Sequence, residues 1–320
     1  MTTMAVSTQT STSQGTRSYN EALRRTGEAR VRALRAPLAS NALLVALKLI
    51  VWTFTGSVSV LSEALHSGVD LIVTTLQLIS VRLATRPADA DHAYGHGKFE
   101  NLGAALEALF ILSTAGVVVA EAIQHIRFPT SIAHLDLGLG VMLLSAGVNV
   151  FVYRSLARTA AIEQSPALQA EAAQLRADVW TAVGVAGGLL AIRIVGKGAT
   201  LIDPIISLMI AGLIVKAAYD VSIRAFVDLT DGRLPEQQES MVRDIIERHR
   251  DIFAGYHKLR TRRSGGGEFI DFHLQMRGDM PLQQAHALSD TIVVDIKQSL
   301  PRAHVLIHLE PDSEVRSHDE

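Results

Sequence analysis

Two pairs of polar side chains lie inside stretches that are apolar enough to cross a membrane. His66 and Asp70 form one pair, and Gln174 and Asp178 form the other. Residues four positions apart share one face of a helix, so each pair directs two donor atoms the same way. Ionisable groups at membrane depth are costly, and by default they mark binding sites or pathways. Two such helices facing each other would supply four ligands to one cation.

The chemistry of these four side chains suits a divalent first-row metal. Imidazole and carboxylate groups are good zinc ligands, whereas the amide of Gln174 is neutral and weaker. Two carboxylates offset a divalent charge, and imidazole is a group that can exchange protons near neutral pH, so protons and metal would compete for the same lone pairs. The alternative role is hydrogen bonding between helices, which fits one isolated pair better than two pairs on separate helices.

A second group of ligand-type residues lies in the segment PADADHAYGHGKFEN, between two apolar stretches. Asp89, His92 and His96 place one oxygen and two imidazole donors within eight residues. Glycines beside His96 allow the backbone to turn tightly. Single histidines in loops are commonly just solvated, but this D-x-x-H-x-x-x-H spacing between two membrane helices predicts a metal site.

A third group lies near the C-terminus and consists of His257, His273, His286, His308 and Glu310. Histidine on an open strand face is often tolerated surface polarity, and no spacing here requires a metal. Metal binding and plain polarity therefore both stay open for this group.

The composition indicates a membrane domain followed by a soluble one. The chain is 48% hydrophobic and 19% charged, and the charges are sparse between residues 37 and 226 and dense afterwards. A formal net charge of -2 gives no basic surface for nucleic acid. The absence of cysteine excludes disulfides and thiolate ligands. Residues 1–35, rich in Ser and Thr and without an apolar signal region, are expected to form a disordered or amphipathic tail.

Six apolar stretches approach the length of about 20 residues that a spanning helix needs. Together they predict a six-helix transmembrane domain over residues 36–228, with the limits 37–56, 59–84, 100–126, 135–157, 167–192 and 200–225. Arginine and lysine concentrate in the tail and in the second-to-third and fourth-to-fifth connections. The positive-inside rule therefore predicts that both termini lie in the cytoplasm. We expect a multi-pass protein of the inner (cytoplasmic) membrane.

Residues 232–312 have the pattern of a small α+β domain, followed by a flexible tail over 313–320. The predicted order is helix, strand, strand, helix, strand (αββαβ), which suggests ferredoxin-like packing, with Gly265–Gly267 forming the hairpin turn. In the second strand apolar residues alternate with Asp271, His273 and Gln275. We expect the apolar face to meet the helices and the histidine face to be open to solvent, metal or a second subunit.

Several segments together resemble the cation diffusion facilitator family: SEALHSGVD, the run PADADHAYGHGKFENLGAALEALFI, the DVW that begins at Asp178, and a terminal HLEPD. The resemblance implies a homodimer of six-helix membrane domains. It also implies a cytosolic ferredoxin-like domain for dimerisation and metal sensing, and export of divalent metals in exchange for protons. The implied transport site is His66, Asp70, Gln174 and Asp178, the implied loop site is Asp89, His92 and His96, and the implied C-terminal sites use His257, His273, His286, His308 and Glu310.

One residue departs from the pattern that the resemblance implies. Zinc exporters of this family usually have histidine where Gln174 stands, so the fourth ligand is weakened. Because His66 on the second helix is zinc-like, zinc is the first expectation. Iron, cobalt, nickel and manganese stay open as substrates.

Two further expectations concern regulation and the competing functions. Lys98 and Asp231 could form a hinge ion pair, although exposed pairs contribute only about 0–1 kcal/mol and solvated charges are the simpler alternative. No metalloprotease, serine-hydrolase or phosphate-loop motif occurs, so we do not expect an enzyme. The alternative to an antiporter is a membrane metal sensor or channel without obligatory proton exchange.

Overall fold

The computed structural model describes residues 5–55, 58–127, 135–195 and 202–314. The chain divides into two compact units between Phe226 and Val227. The first unit is helical and the second combines helices with a sheet. Each unit is described below by itself.

The helical unit contains six long helices. They are α1 (Ala5–Thr55), α2 (Val58–Ala84), α3 (Lys98–Arg127), α4 (Leu135–Glu163), α5 (Pro166–Val195) and α6 (Ile202–Leu229). Within the described residues, three segments are long and apolar enough to cross a membrane, namely Arg25–Phe54, Ala64–Ala84 and Lys98–Gln124. The helices agree with the predicted stretches, and the number of spans beyond these three stays a prediction.

Helix α1 begins well before the apolar stretch that the sequence predicts. Residues 5–35, expected as a disordered or amphipathic tail, continue the same helix, which also runs through Pro37. Arg30 is 5% exposed, and its guanidinium donates to Glu100 Oε2 at 2.8 Å and to the carbonyl oxygen of Glu163 at 3.0 Å. A buried guanidinium with such partners is compatible with a helix interior, which hydropathy alone does not predict.

Small residues let the helices of this unit approach closely around α5. Alanines of α5 are buried against α3 and α6 in a cluster that includes Ile111, Ala173, Ala177 and Ile214. The first half of α5 also packs with α1, α2 and α4, with Leu168 fully buried. Small side chains at helix contacts are typical of membrane bundles, where packing and hydrogen bonds hold the helices together. Helix α5, which carries Gln174 and Asp178, is therefore fixed from several sides.

The second unit follows the predicted order of elements. These are α7 (Glu236–Glu247), β1 (Gly255–Ser264), β2 (Gly267–Met276), α8 (Leu282–Ser299) and β3 (Ala303–Pro311). In the sheet β2 is central, antiparallel to β1 and parallel to β3. Gly265 in the β1–β2 turn has φ of +57°, a left-handed conformation that glycine adopts without strain.

Strand alternation sorts the two faces of the sheet as expected. Ile270, Phe272 and Leu274 are at most 1% exposed, and they share one core with α7 and α8. The side chains of Asp271 and His273 alternate with them and are half-buried. The sheet register pairs His257 with His273 and His273 with His308, so three histidines lie side by side across the strands.

Replacing Gly103 with alanine is expected to destabilise the helical unit. An added Cβ would lie 2.6 Å from Ser80 Oγ and 2.7 Å from Ser80 Cβ, because α2 and α3 approach closely there. Overpacking of this kind costs about 1–3 kcal/mol. The measurement is the midpoint of thermal unfolding of the purified full chain in detergent. Gly116→Ala on the same helix is the control, since no described atom lies within 4 Å of its added Cβ. Equal midpoints for the two variants would contradict the close approach.

Candidate metal sites

The helix site, defined as His66, Asp70, Gln174 and Asp178, lies between α2 and α5. Ligand atoms of His66, Asp70 and Asp178 all lie within 4.8 Å of one another. Nε2 of His66 is 3.9 Å from Oδ2 of Asp70. These three side chains are half-buried, and Gln174 is 5% exposed. The structure thus brings together, from two helices, the four residues that spacing singled out.

The amide of Gln174 links the two carboxylates of the helix site. Its Nε2 donates to Asp70 Oδ1 at 3.2 Å and to Asp178 Oδ1 at 3.1 Å. Its Oε1 is buried and accepts no hydrogen bond from the described residues. A half-turn of the amide would exchange the two atoms and direct Oε1 toward the carboxylates, where it could contact a cation. Gln174 therefore stabilises the two carboxylates through its N–H groups, and after rotation its Oε1 could bind a cation.

Electrostatics make the helix site a strong candidate for cation binding. At an effective dielectric constant of about 20, two carboxylates about 4 Å apart repel by about 4 kcal/mol. The hydrogen bonds from Gln174 offset part of that repulsion, and a divalent cation would reverse its sign. Half-burial strengthens every such interaction relative to water.

Two residues that sequence reasoning missed support the helix site from the side of α2. Thr74 Oγ1 lies 2.9 Å from the carbonyl oxygen of Asp70 and 2.8 Å from Glu171 Oε1. Asn41 of α1 donates to Thr74 Oγ1 at 2.9 Å. Thr74 follows Asp70 by four residues and so lies on the same helix face. The sequence spacing could therefore have indicated Thr74. It could not have indicated Asn41, whose contact depends on the packing of α1 against α2.

The loop site, defined as Asp89, His92 and His96, forms in the α2–α3 connection. The carboxylate of Asp89 accepts hydrogen bonds from the backbone N–H groups of Asp91 at 3.1 Å and His92 at 2.8 Å. Nε2 of His96 is 3.3 Å from Asp89 Oδ2, and Nδ1 of His92 is 3.5 Å from Asp89 Oδ1. Gly95 has φ of +82°, which makes the predicted tight turn possible.

The loop site is held in a form that can accept a metal. His96 is 7% exposed, and its Nδ1 is 3.2 Å from the carbonyl oxygen of Pro87. If Nδ1 donates there, the lone pair of Nε2 is free to bind metal, as is common for ligating histidines. The backbone hydrogen bond from His92 and the charges of both histidines hold the pKa of Asp89 below its usual value. The carboxylate is therefore ionised at neutral pH.

The tail site, defined as His257, His273 and Glu310, lies on the open face of the sheet. Nε2 of His257 is 3.2 Å from Glu310 Oε1, and Nδ1 of His273 is 3.0 Å from Glu310 Oε2. Burial alone would raise the pKa of Glu310, but the hydrogen bond with His273 and the charge of His257 outweigh it and hold the pKa below its usual value. One carboxylate thus bridges two imidazoles with metal-ligand spacing.

The remaining C-terminal candidates lie at different distances from the tail site. The ring of His308 is 4.6 Å from that of His273, so His308 is adjacent. His286 lies on α8, is exposed, and has its Nε2 3.5 Å from Asp290 Oδ2. Within one chain, the described contacts of His286 do not include the tail site. A metal role for His286 stays a prediction.

The suggested hinge pair involves residues of both units, so it also stays a prediction. Lys98 begins α3 in the helical unit, whereas Asp231 belongs to the second unit. Asp231 Oδ1 accepts a hydrogen bond from Arg262 Nη1 at 3.1 Å. This contact gives Asp231 a role within its own unit.

Comparisons with known proteins find matches to both units of the chain. The profile of the cation efflux transmembrane domain matches residues 34–230, and that of the cation efflux protein cytoplasmic domain matches residues 234–312. The cation-efflux pump FieF of Shewanella oneidensis is 30% identical over 279 residues, covering 87% of this chain and 93% of the relative. The FieF pump of Pectobacterium carotovorum is 32% identical over 289 residues, covering 90% and 95% respectively.

A solved structure of the metal-bound C-terminal domain of the CzcD transporter from Thermotoga maritima is 25% identical to this chain. The match covers 26% of this chain and 100% of that one, with a TM-score of 0.24.

The profiles and the relatives define a class of integral membrane transporters for cations rather than a class of enzymes. The chain belongs to the cation diffusion facilitator, or cation efflux, family.

Replacing Glu310 with glutamine is expected to weaken zinc binding at the tail site at least tenfold, because the bridging carboxylate loses its charge. Isothermal titration of the full chain in detergent with Zn²⁺ at pH 7 measures this. Asp271→Asn is the matched control, since Asp271 lies on the neighbouring strand β2 and pairs with Arg260 at 2.5 Å. Unchanged binding by the Glu310 variant would exclude this residue as a ligand.

Proposed function

We propose that this chain is a proton-coupled antiporter that exports divalent first-row metal cations from the cytoplasm. Zinc is the first candidate substrate, and iron, cobalt, nickel and manganese are the others. The observation that supports this most is the meeting of Asp70 and Asp178, from two apolar helices, with His66 inside one 4.8 Å cluster. A transported cation must exchange hydration water for protein donors, and this cluster supplies them.

Competition between protons and metal gives a physical basis for the coupling. His66 and the two carboxylates bind a metal only when their lone pairs are free of protons. On the side with lower proton concentration metal would load, and on the other side protons would displace it. Alternating exposure of one site to the two sides then converts a proton gradient into metal export. The helix site needs no second binding site for this exchange.

The membrane arrangement is part of the proposal. All six long helices would span the membrane, with both termini in the cytoplasm of a bacterial cell whose inner membrane holds the protein. The second unit would adopt ferredoxin-like packing and join two chains in a homodimer. The match to the cytoplasmic domain of cation efflux proteins supports this assignment. Metal at the loop and tail sites would regulate transport rather than carry it.

Flux through proteoliposomes tests the function directly. The purified chain would be reconstituted with one indicator for zinc and one for pH inside the vesicles. An antiporter moves zinc with protons in the opposite direction, and a proton gradient alone should drive zinc uphill. A channel would move zinc without obligatory proton exchange, and a sensor would move none.

The variants Asp70→Asn and Asp178→Asn are expected to reduce zinc flux at least a hundredfold while the chain stays folded. Each substitution removes one of the two negative charges that offset the divalent cation, at nearly constant side-chain volume. The initial rate of zinc uptake per reconstituted protein is the measurement. Asp220→Asn on α6, an exposed carboxylate, is the control and should transport normally. Normal rates for either site variant would show that the site is misplaced.

Replacing Gln174 with histidine is expected to preserve or raise zinc flux and to increase the preference for zinc over manganese severalfold. Imidazole is a better zinc ligand than an amide oxygen, whereas manganese prefers oxygen. Initial rates for both metals give the ratio. Gln169→His, one and a half turns earlier on the same helix, is the matched control. A collapse of zinc flux in the Gln174 variant alone would mean that the site is tuned to another ion.

A further inference from the structure

Three buried side chains beyond the helix site each carry an oxygen atom that lacks a donor. Gln77 of α2, Glu107 of α3 and Glu171 of α5 are each 1% exposed. Gln77 Oε1, Glu107 Oε1 and Glu171 Oε2 accept no hydrogen bond from any side chain or backbone group that the structure describes. Burying a polar atom without a partner costs about 1–3 kcal/mol, and more for a charged group. Three such acceptors on neighbouring helices indicate a missing positive group.

The face of α2 connects these residues to each other. Asp70, Thr74 and Gln77 follow one another at spacings of four and three residues, so they line one stripe. Thr74 Oγ1 is 2.8 Å from Glu171 Oε1. One turn further on, Gln77 Nε2 hydrogen-bonds Glu107 Oε2. The two carboxyl groups therefore flank adjacent turns of the same face.

The hydrogen bonds of Gln77 show which atoms are left over. Its Nε2 also donates to the carbonyl oxygen of Gly103 at 2.9 Å, so both amide hydrogens are used. Gly103 permits this contact, since a Cβ there would lie 3.0 Å from Gln77 Oε1. Both N–H groups of the Gln77 amide are thus held in hydrogen bonds, whereas its Oε1 has no donor among the described residues. The buried guanidinium of Arg30 does not supply the charge, because it contacts Glu100 and Glu163 instead.

We propose that Gln77, Glu107 and Glu171 form a second intramembrane cation site, the inner acidic site. Gln77 lies seven residues beyond Asp70 on α2, about 10 Å closer to the α2–α3 loop. All donors are oxygens, two of them carboxylate, a set that suits hard divalent cations such as Mn²⁺ and Mg²⁺ better than zinc. The site contains no imidazole and so differs in chemistry from the helix site. The proposal concerns binding and does not depend on proton exchange.

Binding of Mn²⁺ to the full chain in detergent at pH 7 tests the proposal. Electron paramagnetic resonance of free Mn²⁺ gives the number of ions bound per chain. In the Asp70→Asn background, which weakens the helix site, adding Glu107→Gln is expected to remove one further Mn²⁺ per chain. Glu171→Gln should have the same effect from another helix. Glu121→Gln is the matched control, because Glu121 lies on α3 but is exposed.

The outcomes separate this proposal from the proposed function. If neither Gln variant lowers the number or the affinity of bound Mn²⁺, the inner acidic site is not a cation site. The same conclusion follows if binding is unchanged while both Gln variants unfold at higher temperature, since the carboxyl groups would then carry only protons. If the unmodified chain shows no zinc flux but the variants lose one bound Mn²⁺, the proposed antiport is rejected and the inner acidic site is supported. Thermal unfolding and gel filtration check folding, and Glu171→Gln gives the answer if Glu107→Gln does not fold.

Discussion

Close apposition of two carboxylates inside an apolar helical unit is the constraint on which the rest of the structure depends. Asp70 and Asp178 belong to different helices, and their oxygens lie in one cluster with His66. Such an arrangement is stable only when a positive group or hydrogen-bond donors offset the repulsion. In the structure the amide of Gln174 donates to both carboxylates. A neutral amide balances the two anions only partly, so a cation or protons should bind there with favourable energy.

Packing decides whether the carboxylates can meet at all. The face of α5 that carries the site is built largely from alanine, including Ala170, Ala173 and Ala177, all buried. Bulkier residues at these positions would push α3 or α6 away from α5. These small residues therefore hold the helix that carries Gln174 and Asp178 without contacting a ligand. Gly103 likewise lets α2 and α3 approach closely where Gln77 contacts Glu107.

Helical periodicity was enough to predict the two residue pairs of the helix site, because residues four apart on one helix share a face whatever the surroundings. Strand alternation likewise predicted which side of β2 carries His273. Periodicity could not predict contacts between elements, and so Asn41 and Glu107 were missed. It also gave no sign that Arg30 is buried, since this residue looks like a tail residue until Glu100 is seen opposite it. The sequence thus predicts on which face of a single helix or strand a side chain lies. It does not predict contacts that depend on how two elements pack together.

The helix, loop and tail sites use the same types of ligand, histidine and carboxylate, but they differ in environment. This difference should give them different roles. The loop site is largely exposed, with Asp89 and His92 open to solvent, so salt and water screen its charges. In the tail site Glu310 already has two imidazole partners, so a metal that binds there must replace these contacts. The helix site combines half-burial with two mutually repelling anions, so a cation gains most there and its departure requires a substitute charge. The proposed exchange of a metal for protons would supply that charge to the two carboxylates as the metal leaves.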